Sequence, residues 1–177
     1  MVSHDAAERF LAAPVLAGLD SASRRTLLKI LEERRAPAGA ILLSQGEPND
    51  HLAFLIEGTV AIYRTDPRGR QEALAQLTAP TMFGLTSFFR AAPPDFTVRA
   101  TADAWLLNLD HDAHDRLRRL DLRAAEQLAV AAVRVLADHF DQLDHRISAY
   151  LAEHPRDHSR ATEWSDFRAR LFEESTF

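Results

Sequence analysis

The chain has 177 residues, enough for one domain of ordinary size with room for an appended helix or tail. Hydrophobic residues make up 46% and charged residues 27%, a globular balance that excludes a disordered chain. No cysteine is present, which excludes disulfides, thiolate metal sites and cysteine nucleophiles, and the net charge of -5 leaves no strong field for nucleic acid.

The segment Met1 to Arg9 carries Asp5 and Glu8 and has no long apolar run, so it does not read as a signal peptide. No uncharged apolar stretch approaches the roughly 18 residues that cross a bilayer, and a cytoplasmic location is expected. Up to about Glu33 the pattern is helical. Phe10, Leu11, Val15, Leu16 and Leu19 precede a capping run Asp20-Ser21-Ala22-Ser23, and Leu27, Leu28, Ile30 and Leu31 supply the next apolar face.

From about Arg34 to Asp110 the period changes. Short apolar runs at Ala40–Ser44, Leu52–Glu57, Thr59–Thr65, Glu72–Leu77, Phe96–Ala102 and Ala104–Asp110 are separated by turn residues. Five of the six glycines fall in this stretch, as expected where tight turns need positive φ. Such punctuation predicts an antiparallel sandwich or barrel.

From about His111 the chain is helical again, with a short helix to Leu120 and then a long one. Ala125, Ala129, Ala132, Leu136, Phe140, Leu143, Ile147 and Tyr150 recur at spacings of 4, 3, 4, 4, 3, 4 and 3, a heptad-like stripe. One helix cannot cover such a stripe itself, so it packs on the β-domain, on a second copy, or on each in turn. The dimer seam is expected at Ala129, Ala132, Leu136, Phe140, Leu143 and Ile147. The tail after Pro155 is polar, with Trp164, Phe167, Leu171 and Phe172 on one face that either docks a partner or covers the chain itself.

The order Gly39-Ala40-Ile41-Leu42-Leu43-Ser44-Gln45-Gly46-Glu47, Leu55-Ile56-Glu57-Gly58-Thr59-Val60, Phe83-Gly84 and Thr97-Val98-Arg99-Ala100 resembles the cyclic-nucleotide-binding domain of the Crp/Fnr regulators. The resemblance runs from about Phe10 to Ile147. It implies an α+β fold, an antiparallel double-stranded β-roll of jelly-roll type, flanked by N-terminal helices and a long dimerisation helix. The expected divisions are residues 1–121 for the roll with its N-terminal helices, 122–151 for the long helix and 152–177 for the tail.

The same resemblance places a phosphate-binding cassette at Phe83 to Ala100, with Phe83, Gly84, Leu85, Thr86, Ser87, Arg90, Asp95, Thr97 and Arg99 as candidate ligand-binding residues and His139 facing them from the long helix. In the family a glutamate after the glycine accepts from the ribose, an arginine pairs with the phosphate, and a hydroxyl residue follows it. Here those positions are Leu85, Pro94 and Asp95. Losing two charge-assisted hydrogen bonds at about 1.5–3 kcal/mol each weakens binding roughly a thousandfold or more. Cyclic nucleotide is therefore argued against as a ligand, unless Arg90 or Arg99 replaces the missing pair. Thr86 and Ser87 either cap the cassette's short helix or offer amides to an anion, and His139 and Phe140 either stack on a planar ligand or lie in the dimer seam.

No nucleotide-loop or nucleophile-elbow motif is present, so no catalytic residue is expected. The pairs His111-Asp112, His114-Asp115, Asp138-His139 and Asp144-His145, with Asp141, lack a third ligand fixed by spacing, so no metal site is expected either. A non-enzymatic sensor module follows, a homodimer acting through a protein partner, with no direct DNA binding and no membrane. Two other readings stay open: a genuine cyclic-nucleotide receptor, and a Crp/Fnr regulator without its own DNA reader.

Overall fold

The computed structural model describes residues 2–153. The aromatic tail face at Trp164, Phe167, Leu171 and Phe172 lies outside the described residues. Two compact units divide the chain after Leu136. The first carries helices α1 (His4–Ala12) and α2 (Ser21–Leu28), eight strands, the short helix α3 (Leu85–Arg90), α4 (His111–Leu120) and the first turns of α5 (Leu122–Glu153). The second contains, among the described residues, the remaining turns of α5.

The strands are β1 (Glu32–Ala36), β2 (Ile41–Leu43), β3 (His51–Glu57), β4 (Thr59–Thr65), β5 (Gln71–Thr78), β6 (Thr81–Phe83), β7 (Thr97–Ala100) and β8 (Ala104–Asp110). They form two four-stranded antiparallel sheets, in the orders β1-β8-β3-β6 and β2-β7-β4-β5. This is the α+β roll that the sequence predicts.

Alternation along the central strands divides the core in two. Ala53 and Leu55 on β3, with Ala104 and Leu106 on β8, face the second sheet and meet Leu43, Val60, Val98 and Phe83. Leu52, Phe54 and Ile56, with Trp105, Leu107 and Leu109, face the helices and meet Phe10, Leu16, Leu27, Leu117 and Leu128. Because β3 and β8 are covered on both faces, they read as near-continuous apolar runs. The ring of Phe10 on α1 meets that of Phe54 edge-on, with centroids 5.2 Å apart.

Two polar clamps hold the N-terminal helices in place. The guanidinium of Arg24 donates to the carbonyls of Leu19 at 3.0 Å and Leu16 at 2.8 Å, and to that of Leu11. Asp20 caps α2 by accepting from the Ser23 amide at 2.8 Å, and also meets Arg123 at 3.0 Å and Gln127 on α5.

The N-terminal helical pattern ends earlier than Glu33. Helix α2 stops at Leu28, and Glu32-Glu33-Arg34-Arg35-Ala36 pairs with β8 as an edge strand. Polar side chains are tolerated there because an edge strand leaves much of its surface in solvent. Trp105 holds this strand from β8: the Arg35 guanidinium lies 3.3 Å over its ring, and its indole N–H donates to Glu33 at 2.9 Å. The turn from β3 to β4 depends on Gly58, at φ +97°, where a Cβ would sit 2.3 Å from the Asp103 carbonyl oxygen.

Candidate functional site

The segment from Phe83 to Ala100 leaves the first sheet at β6 and enters the second at β7. Phe83 is buried between the sheets, and Gly84 then turns the chain at φ +82° to start the six-residue helix α3. A Cβ on Gly84 would lie 3.0 Å from the His51 carbonyl and 3.4 Å from the Asn49 amide, so only glycine lets the helix begin this close to β3.

Leu85 and Phe88 anchor α3 by packing into the helix-side core, at 3% and 2% exposure. Between them Ser87 is also buried, and its hydroxyl donates to the Gly84 carbonyl at 3.1 Å. Asn49, in the turn before β3, donates from one amide nitrogen to the Ser87 hydroxyl at 2.9 Å and to the His51 carbonyl at 2.8 Å. Thr86, Phe89 and Arg90 face solvent.

The far end of the segment is tied to other loops. Pro94 is buried, and its carbonyl accepts from the Gly46 amide at 2.9 Å, while Asp95 is exposed. Thr97 is buried, and its hydroxyl accepts from the Gln45 amide at 3.1 Å. The Gln45 side chain bonds both the amide and the carbonyl of Thr65, at 2.7 and 3.0 Å. Arg99 lies on β7, partly buried, with its guanidinium 5.1 Å from the centre of the Tyr63 ring.

The structure thus brings Phe83, Gly84, Leu85 and Ser87 together with Asn49 at one end, and Thr97 with Gln45 at the other. Asn49 was not singled out in the sequence, and Gln45 only as part of the glycine-turn motif: both sit in a turn-rich run, and their long-range partners lie 20 to 52 residues away. Beside Thr97, between the Gly46 turn and the β4–β5 hairpin, lies an open cavity of about 850 Å³. Its charged lining is Glu47, Asp66 and Glu72 against Arg64.

On the C-terminal side of α3 stand two histidines of α4. The His111 ring stacks on Phe88, with centroids 4.3 Å apart and planes 6° from parallel, and its Nε2 lies 3.0 Å from the Phe88 carbonyl. His114 meets Phe88 and Phe89 edge-on at 5.5 and 6.0 Å. Burial holds the His114 pKa below its ordinary value, helped by Arg118 and His111 and opposed by Asp115.

On α5, Ala132 departs from the expected seam. It is 2% exposed and lies in the helix-side core with Ala124, Ala125, Leu128, Ala131 and Val135. The apolar residues this part of the helix leaves open are Val130 and Val133, at 49% and 64% exposure, and Leu136; Ala129 is exposed too. The correction follows from the first unit's own demand, since the roll needs the small residues of α5 for close packing. In the second unit Phe140 and Leu143 are exposed, Ile147 is partly buried, and burial lowers the pKa of half-buried His139.

Among the described residues no helix is long and apolar enough to cross a membrane, and no three His, Asp or Glu side chains are grouped to hold a metal ion.

Comparison with known proteins agrees with this geometry. The chain is 30% identical over 101 residues to the CRP-like cAMP-activated global transcriptional regulator of Mycobacterium tuberculosis, a match covering 57% of this chain and 45% of that protein. It therefore spans less than half the length of this relative. The catabolite activator protein of Thermus thermophilus superposes with a TM-score of 0.63 at 26% identity, over 75% of this chain and 62% of that one. A cyclic nucleotide-binding domain from Methylobacillus flagellatus superposes with a TM-score of 0.74 at 20% identity, over 80% of this chain and 82% of that one, and so shares the fold. The family model described as cyclic nucleotide-binding domain matches residues 33–121, just over half of the 177 residues. The roll and these matches together make the chain a member of the cyclic nucleotide-binding domain family, of Crp/Fnr type.

Proposed function

We propose that the chain is a non-enzymatic regulatory module whose cassette keeps the family's frame without its phosphate-pairing chemistry, and that it acts as a homodimer through a protein partner. One observation carries the reading. The two positions that should offer charge to a cyclic phosphate and ribose are Leu85, buried in the helix-side core, and Pro94, buried in the loop. The buried hydroxyl of Ser87 is already engaged by Gly84 and Asn49, so it has little capacity left for a ligand.

The residues present do not fit a cyclic phosphate in other respects. Asp95 places a carboxylate where the family has a neutral hydroxyl, and the adjoining cavity has three carboxylates to one guanidinium. Arg99 lies against the Tyr63 ring on β7, which leaves exposed Arg90 as the freer of the two arginines.

The relatives are named as regulators and as cyclic nucleotide-binding proteins. The homodimer is supported by Val130, Val133, Phe140 and Leu143, large apolar residues of α5 that the chain leaves exposed. The net charge of -5 argues that any effect on DNA runs through the partner.

Isothermal calorimetry with cyclic AMP, cyclic GMP and cyclic dinucleotides tests the reading, with no binding expected at micromolar concentrations. Micromolar binding lost on Arg90→Ala or Arg99→Ala would overturn it in favour of a receptor with a relocated phosphate partner. A gel shift on genomic fragments at physiological salt should give no specific band with the chain alone.

A further inference from the structure

We propose that His111 and His114 form a latch that holds the cassette helix α3 against α4 and loosens on acidification, so that the cassette responds to protons. The proposal rests on the regulatory reading above and names an input for it.

The geometry is that of a docked helix end. Helix α3 ends at Arg90, where the Ala91 amide donates to the Phe88 carbonyl at 3.4 Å, and the same carbonyl takes the His111 Nε2–H at a shorter 3.0 Å. The flat stack of His111 on Phe88 fixes the direction of that bond. His111 is itself placed by its backbone N–H, which donates to the Asp50 carbonyl at 3.1 Å. His114, one turn further along α4, fills the notch between the Phe88 and Phe89 rings.

A neutral imidazole suits that notch because it needs little water, whereas an imidazolium is stripped of solvation there. The charged and titratable neighbours do not reverse this. On α4 His114 has His111 and Arg118 against it and Asp115 in its favour. The β3 side brings Asp50, whose carboxylate is already paired with the His51 ring at 3.0 Å, and α3 brings Arg90 as its one charged residue. Protonation of His114 is relieved by movement of α4 away from Phe88 and Phe89. Because α4 leads within two residues into α5, that movement reaches the helix carrying the exposed apolar residues.

Hydrogen exchange of the full chain across the ordinary histidine range, about pH 7.5 to 5.5, is the test. With rates corrected for intrinsic chemistry, α3 amides should lose more protection on acidification than β3 and β8 amides, which report the global stability and serve as the internal reference. His114→Gln should flatten the response, and His111→Gln should lower α3 protection at every pH. Unchanged α3 protection in the wild type overturns the proposal, as does a gain, which would mean that attraction of the cation to the two rings dominates. Should either variant fail to fold, the wild-type series with the imidazole NMR shifts of His114 decides alone. No nucleotide enters this experiment. Cyclic-nucleotide binding by calorimetry would overturn the regulatory reading and leave the latch standing, and a flat exchange profile would do the reverse.

Discussion

The side-chain amide of Asn49 reaches across 38 residues of sequence to donate to the buried hydroxyl of Ser87, and through it to the Gly84 carbonyl. A turn residue before β3 thereby holds the first turn of the cassette helix. Asn49→Ala leaves the buried Ser87 oxygen and the part-buried His51 carbonyl each short of a donor. A loss of about 1–3 kcal/mol is expected, the cost of an unsatisfied buried polar group, measured by urea denaturation. Ser87→Ala should cost less, because it removes the buried hydroxyl together with its need for a partner.

The two close-approach glycines should respond in the order of the contacts a Cβ would make. Gly58→Ala places a methyl 2.3 Å from a backbone oxygen that cannot move aside, whereas Gly84→Ala places it 3.0 Å from one. Both also carry the left-handed backbone penalty of about 1–2 kcal/mol. Thermal melts should therefore show Gly84→Ala folded with a lowered midpoint and Gly58→Ala much further destabilised. Equal midpoints would mean that the β3–β4 turn rebuilds more readily than its contacts suggest.

How much of this was legible beforehand depends on the range of the interaction. The strands β3 and β8 announce themselves because both faces are buried and the sequence stays apolar through Leu52–Ile56 and Ala104–Leu107. The strand β1 does not, since Glu32, Glu33, Arg34 and Arg35 are held by pairing with β8 and by the Trp105 ring, neither visible locally. With three residues, β6 is too short to show a period. Gly84 could be read from the turn pattern and the helix after it was implied by the family resemblance, but the Asn49–Ser87 bond and the His111–Phe88 stack join segments that only the fold brings together. Spacing alone also could not decide which alanines of α5 face the roll, because a stripe of period 3.5 drifts round a helix of period 3.6.

Stability should fall steadily from neutral to acid pH, in two stages with different causes. Asp20, Glu33, Asp50 and Asp66 are held below the usual carboxylate range, chiefly by hydrogen bonds from the Ser23 amide, the Ser3 amide, the His51 ring and the Arg70 amide respectively. Their contribution is complete above the ordinary carboxylate values and is lost as the pH drops through the lowered ones. His114 and His139 are also lowered, but for a base this means that the folded state prefers the neutral form. Their stage begins as the pH falls below the unfolded value of 6.5 and levels off beneath the folded one. Denaturation midpoints at closely spaced pH should resolve a histidine stage that His114→Gln diminishes and an acid stage that it leaves alone. A histidine stage of full size in that variant would assign it to His139.

Assembly can be separated from folding on a single helix, because neighbouring residues of α5 have opposite fates. Ala132 is buried in the chain's own core, and Val133, the next residue, is 64% exposed. A charge at Ala132 must enter an apolar interior without a partner, so Ala132→Glu should unfold the domain or leave it aggregated. A charge at Val133 meets solvent in the monomer and, in the proposed homodimer, would face its own symmetry mate across a two-fold seam. Val133→Glu should therefore keep the wild-type circular dichroism spectrum and melt as a folded protein while its mass by light scattering falls to that of one chain. Phe140→Glu, in the second unit, should act in the same direction. A wild-type chain that scatters as a monomer at micromolar concentration would remove the seam, and the exposed valines would then belong to a contact with the partner protein itself.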